Sequence, residues 1–130
     1  MAEAKAWRCT IRVREEDYAL FREAAGGARV TTGVALGHAV TLVAGLPGLL
    51  GDLARQDGRR RHGPEPLIPR EVAPLAGDGD WAVFLAEAGQ AGMSRSGALA
   101  VLVHSYARGA LRVEIRVVPV LPGYSRPDGQ

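Results

Sequence analysis

Trp7-Arg8-Cys9-Thr10-Ile11-Arg12-Val13 alternates in polarity at every position. At the two-residue period of a strand, Trp7, Cys9, Ile11 and Val13 fall on one face. Arg8, Thr10, Arg12 and then Arg14 fall on the other. One face is apolar; the other is basic and can form hydrogen bonds. Such a strand suits a ribbon laid across a major groove, with its apolar side sealed onto helices while arginine and threonine meet base edges. An ordinary edge strand kept soluble by charge has the same pattern. The residues that follow weigh toward the ribbon.

Arg14-Glu15-Glu16-Asp17 sets acidic residues where a helix would begin, which suits the helix dipole. Tyr18, Phe21, Ala24 and Ala25 then recur at helical spacing. Gly26-Gly27 is expected to end this helix by supplying the left-handed conformation of a C-cap. Thr31-Thr32 is expected to cap a second helix, in which Leu36, Ala39, Val40 and Val43 sit at i, i+3, i+4 and i+7. Gly45-Leu46-Pro47-Gly48 breaks it, and Leu49 to Gln56 adds one or two further turns. The order is strand, helix, turn, helix.

Residues 81–104 repeat residues 18–41 at a constant offset of 63. Tyr18-Ala19-Leu20-Phe21 becomes Trp81-Ala82-Val83-Phe84, Ala25-Gly26 becomes Ala88-Gly89, and Val30-Thr31 becomes Met93-Ser94. Ala35-Leu36 becomes Ala98-Leu99, and Leu99, Leu102, Val103 and Tyr106 copy the first core stripe. This is a duplicated helix–turn–helix unit. The strand before the second copy is poorer. Arg70 to Ala76 holds Pro74 where the first copy has Ile11, and Glu71, Ala73 and Leu75 where it has Arg8, Thr10 and Arg12. Proline there implies an edge, a bulge or no strand. Leu111-Arg112-Val113-Glu114-Ile115-Arg116-Val117 alternates better and is expected to be a C-terminal strand.

The chain has 130 residues, a length for one ordinary domain or two very small ones. Its hydrophobic fraction of 47% is enough for a core, and with aromatics at 5% that core must be built from Ala, Val and Leu. The net charge of +2 is too small to establish a nucleic-acid partner, so the placement of the arginines matters more than their sum. Cys9 is the one cysteine, which leaves no disulfide framework and points to a reducing compartment. No signal peptide or membrane span is read, and a cytoplasmic location is expected. Asp57 to about Pro69 shifts to Gly, Arg and Pro and reads as an exposed linker, with Arg59-Arg60-Arg61 either solvated or gripping phosphates.

Thr10-Ile11-Arg12-Val13 leading into Glu15-Glu16-Asp17-Tyr18, and Ala91-Gly92-Met93-Ser94-Arg95-Ser96 leading into Ala98-Leu99, resemble the ribbon-helix-helix family. In that family two such units interlock, their strands pair antiparallel in the major groove, and the start of each second helix holds a phosphate. Here both units lie in one chain, similar to the tandem ribbon-helix-helix proteins of conjugative plasmids, of TraY type; Thr10 to Ala25 is also similar to mobilisation accessory proteins of MobC type. The resemblance covers residues 7–44 and 70–108. It implies a mainly α fold with a short β ribbon: two βαα units forming an intramolecular pseudo-dimer, plus a C-terminal strand. The first unit would span 7–56, the linker 57–69, the second, degenerate unit 70–108 and the last strand 109–120. By position, Arg8, Thr10 and Arg12 would face bases. Thr31, Thr32, Ser94 and Arg95 would hold phosphates, with Lys5, Arg14 and Arg59, Arg60 and Arg61 adding to them. The second strand would pair with the first while reading little, or residues 111–118 would pair with Trp7–Val13 or with a second molecule. The first arrangement is favoured, with the last strand extending the sheet or making a homodimer.

His38, His62 and His104 have no metal-site spacing with Cys9 or the carboxylates, and His38 and His104, in the second helices, read as satisfied or surface histidines. Asp78 and Asp80 read as helix caps, as do Ser94 and Ser96. Trp7, Trp81 and Tyr18 lie on apolar stripes and read as core. No phosphate-binding loop or dinucleotide fingerprint is present, and no cofactor, metal or catalysis is expected. The expected function is sequence-specific binding of double-stranded DNA by a plasmid or mobile-element accessory factor, with a relaxase or other protein as partner, or by a transcriptional repressor. The rival is a protein–protein adaptor, antitoxin-like or inhibitory, on the same scaffold without DNA.

Overall fold

Strand β2 (Cys9–Val13) lies antiparallel to β3 (Ile68–Val72), and the two-residue strands β1 (Lys5–Ala6) and β4 (Leu75–Ala76) continue the same pairing. The computed structural model describes residues 4–60 and 66–114, and for 58–60 the backbone alone. The remaining elements are five helices: α1 (Glu15–Gly27), α2 (Thr32–Gly45), α3 (Leu49–Arg60), α4 (Asp78–Gln90) and α5 (Arg95–Ala107). The molecule is thus mainly helical, with a short antiparallel ribbon.

The register makes the duplication physical. Cys9 pairs with Val72, its own counterpart at the 63-residue offset. Val13 pairs with Ile68, the counterpart of Lys5, while Lys5 pairs with Ala76, the counterpart of Val13. The strands therefore cross at their midpoints, as two related halves about a local two-fold axis must. Between the paired stretches, the backbone N–H of Trp7 donates to the carbonyl of Pro74 at 3.0 Å. Pro74 interrupts the second strand without ending the pairing, since proline lacks a donor but keeps its acceptor.

Beneath the ribbon the halves interlock: α1 packs on α5, and α2 on α4. Leu36, Val40 and Val43 of α2 and Leu99, Leu102 and Val103 of α5 are almost wholly buried, together with Ile11, Val13, Phe21 and Phe84. Each such side chain contributes about 1.5–3 kcal/mol of hydrophobic stabilisation, and these residues lie in both halves, so one core serves the two. Polar bonds join the halves as well. The phenol of Tyr106 donates to the carbonyl of Ala35 at 2.7 Å, and the Thr41 hydroxyl donates to Asp80 at 3.2 Å.

Several expectations from the sequence need correction. The second ribbon strand starts at Ile68 rather than Arg70, so the expected linker is shortened at that end. It is shortened at the other end too, because α3 is a twelve-residue helix running to Arg60 rather than one or two turns. Leu50, Leu53 and Asp57 form its buried stripe. The left-handed residue after α1 is Arg29 (φ 60°), not Gly26 or Gly27, which stay helical. Arg29 donates to Gly26 and Val30 to Ala25, which is the Schellman pattern. The second copy repeats it with Gly92 (φ 73°). Asp78 and Asp80 are not caps: α4 begins after Gly77, Asp78 pairs with Lys5 at 3.1 Å, and Asp80 accepts from Thr41. Residues 109–114 form no strand; the remainder of the expected C-terminal strand lies outside the described residues.

Candidate nucleic-acid interface

Along β2 the burial alternates: Cys9, Ile11 and Val13 are buried while Thr10 and Arg12 are exposed. Arg8, just before the strand, is exposed as well, and Trp7 is half-buried against the core. The apolar set seals downward for a definite reason. Trp7 stacks on Trp81 with ring centres 5.1 Å apart and planes 10° from parallel, and its indole N–H donates to the carbonyl of Ala76 at 2.9 Å. With that face fixed, the two-residue period leaves Arg8, Thr10 and Arg12 outward.

The partner strand offers Pro69 and Glu71 on the same outward face. Glu71 stands opposite Thr10 in the pairing, and its carboxylate lies 3.7 Å from the guanidinium of Arg8. Both side chains are well exposed, so the pair is a weak one. Arg8, Thr10, Glu71 and Arg95 together line one open cleft of about 270 Å³.

Both second helices begin at the ribbon. Thr31 caps α2, its hydroxyl accepting from the backbone N–H of Val34 at 3.1 Å, and Thr32 is the first helical residue. Ser94 caps α5 in the same way, accepting from Gly97 at 3.0 Å, and the exposed Arg95 opens the helix. The start of α5 touches β2 through Cys9 and Ser96, whose side-chain sulfur and oxygen are 3.2 Å apart. The start of α2 touches the other strand so closely that a Cβ on Gly33 would lie 2.8 Å from the Ala73 carbonyl oxygen. Free N–H groups and the positive end of a helix dipole thus flank the ribbon from both halves.

The other expected phosphate contacts are less concentrated. Lys5 is held by Asp78, its ammonium 5.9 Å from the Trp7 ring centre. Arg14 is half-buried at the N-cap of α1. Arg59 and Arg60 end α3 with side chains that are not described, and Arg61, like His62, lies outside the described residues. His38 is on the surface.

Two features were missed by sequence reasoning. The 63-residue offset sets Glu71 against Arg8, but its place across from Thr10 follows from the register, in which Cys9 meets Val72. The second feature is a buried polar cluster joining α1, α3 and α5. The Nδ1 of His104 lies 3.2 Å from Asp57 and its Nε2 3.8 Å from Asp17, while Arg108 approaches both carboxylates at 3.7 and 3.9 Å. His104, Asp17 and Asp57 are buried. Opposed charges this close offset each other's burial and tie three helices together. Its only sequence signal was a polar residue on each apolar stripe.

Compared with family models, curated proteins and solved structures, the chain matches none. Among the described residues no helix is long and apolar enough to cross a membrane, and no group of three His, Cys, Asp or Glu is placed to hold a metal ion.

Proposed function

We propose that this chain is a tandem ribbon-helix-helix protein that binds double-stranded DNA through its ribbon, as an accessory factor of a mobile element working beside a relaxase, or as a repressor. The observation that carries the reading is the ribbon itself, with Arg8, Thr10 and Arg12 outward and a capped helix start on either side. A major groove about 12 Å wide admits a two-stranded ribbon, and arginine there makes two hydrogen bonds to guanine. Helix N-termini take phosphates. The two strands offer unlike faces, so the site read would be asymmetric, with most base contacts from the first half.

The test is fluorescence anisotropy against a library of duplexes. Arg12→Ala is expected to abolish specific binding with the fold intact, as Arg12 is exposed. Specific affinity unchanged in an Arg8→Ala, Arg12→Ala double variant would refute the ribbon assignment. The second reading, an adaptor without DNA, is favoured by Glu71 on the outward face and by the exposed Leu42 and Leu46 on and just after α2. No binding even to random duplex at low salt, where the phosphate attraction is strongest, would decide for it.

A further inference from the structure

The local two-fold is broken where the second helices meet the ribbon. On one side of the ribbon, α2 lies against the second strand with no room to spare: a Cβ on Gly37 would come 1.9 Å from the carbonyl oxygen of Leu75. On the other side, the counterparts of Gly33 and Gly37 are Ser96 and Ala100, and those of Ala73 and Leu75 are Thr10 and Arg12. Larger residues on the helix meet a strand bearing longer side chains: Ser96 still touches Cys9, and beside that contact lies a cavity of about 560 Å³. Helix α3, for which the described residues hold no second copy, walls its far side with Ala54 and Asp57.

Its chemistry is directional. Met93, Ala100 and Val101 give an apolar wall. At the ribbon end stands the guanidinium of Arg12, which has no ion pair or hydrogen bond among the described residues. The carboxylate of Asp57, which also lines the cavity, is already engaged by His104 and Arg108, so it does not leave a bare negative charge facing it. The volume falls within the range of about 300–1,000 Å³ that small-molecule sites occupy. Thr10, Ser96 and His104 complete the polar part of the lining. An apolar wall facing an uncommitted guanidinium selects an anion carrying a hydrocarbon body.

We propose that this cavity binds a small organic carboxylate with a one- or two-ring apolar body, its carboxylate on Arg12 and its rings against Met93, Ala100 and Val101. Binding does not depend on the duplex reading of the ribbon. Its consequence does: a ligand that occupies Arg12 removes that side chain from the bases, so ligand and duplex compete.

Met93 gives a direct probe, because the chain has two methionines and the other is Met1. With methyl-labelled methionine, a titration of the full chain with benzoate, salicylate and indole-3-acetate is expected to shift the Met93 methyl signal in a saturable way. Met93→Leu identifies that signal. Arg12→Ala, at an exposed position, should weaken the binding at least tenfold, and Ala100→Leu should abolish it by filling the cavity. Circular dichroism checks that both variants fold; if Ala100→Leu does not, Arg12→Ala carries the test alone. A Met93 signal unmoved by millimolar concentrations of all three probes would overturn the proposal, as would binding unchanged in Arg12→Ala. Anisotropy with duplex is a separate measurement: loss of duplex binding on adding the bound probe supports the competition, and simultaneous binding refutes it. Failure of every duplex to bind refutes the ribbon reading and leaves the methyl titration standing by itself.

Discussion

Arg70 lies over the ring of Tyr18, its guanidinium carbon 5.7 Å from the ring centre, at the position where the other half stacks Trp7 on Trp81. Both members of one pair are the counterparts of the other pair at the 63-residue offset. The same contact, a strand residue laid on the first helix, is thus made once by two indoles and once by a cation on a phenol. The indole pair also carries the Trp7 hydrogen bond to Ala76 and excludes more water. Trp7→Ala is therefore expected to cost about 3 kcal/mol, while Arg70→Ala costs no more than about 1 kcal/mol, the usual scale of a cation on an aromatic face. Urea denaturation of the two variants measures the difference.

Gly37 is set by contact rather than by flexibility. Any side chain there meets the Leu75 backbone, and neither the helix nor the ribbon can move without breaking the pairing above it. Gly37→Ala should destabilise by more than about 2 kcal/mol even though alanine is the better helix former by ~1 kcal/mol. At the counterpart position, Ala100→Gly should cost only that ~1 kcal/mol of propensity. Equal losses at the two sites would contradict the tight-and-open asymmetry.

Arg29 holds the left-handed position of its turn without the freedom that Gly92 has in the other copy. A residue with a Cβ pays roughly 1–2 kcal/mol for that conformation. Arg29→Gly should accordingly stabilise the protein by about 1 kcal/mol, and Gly92→Ala should destabilise it by a similar amount, both read as shifts in the denaturation midpoint.

Burial pushes the Tyr106 phenol up to about 12 from its ordinary value of 10. Between these values the unfolded chain gives up the phenol proton while the folded chain keeps it, so stability falls as pH rises. The contribution is whole below pH 10 and is lost on passing through the folded value. Tyr106→Phe removes the hydrogen bond to Ala35, at a cost of about 1 kcal/mol at neutral pH, and should flatten this alkaline loss. Thermal melts from neutral pH upward compare the two.

Glu71 is the one acidic side chain that the described ribbon strands turn outward. If the face meets DNA, Glu71→Gln should tighten low-salt binding to random duplex by up to about tenfold, or ~1.4 kcal/mol. An unchanged affinity would place the duplex elsewhere.

Much of this architecture is legible in the residues because period and spacing are local. The alternation from Trp7 to Val13, the stripes around Leu36 and Leu99, and the capping hydroxyls of Thr31 and Ser94 all take their structural positions from their near neighbours. What escaped depends on partners far away in sequence. Leu50, Leu53 and Asp57 form a helical stripe whose last member is an acid, and partners far along the chain, His104 and Arg108, give that acid a reason to be buried. Gly26-Gly27 draws the expected turn away from Arg29 because composition names a left-handed residue less surely than the hydrogen bonds that close the helix. On the ribbon's outward face, the arginines follow from alternation, whereas Glu71 beside them follows only from the register.

Because Cys9 meets its own counterpart Val72 within one polypeptide, the ribbon closes without a second molecule. Dilution cannot open it, and mixing with related chains cannot exchange its halves. An identical pair of strands is bound to a palindrome by its symmetry. A covalently joined pair is free of that bond, and each strand can change alone. Here the two outward faces are indeed unlike, Arg8 and Arg12 on one strand and Pro69 and Glu71 on the other.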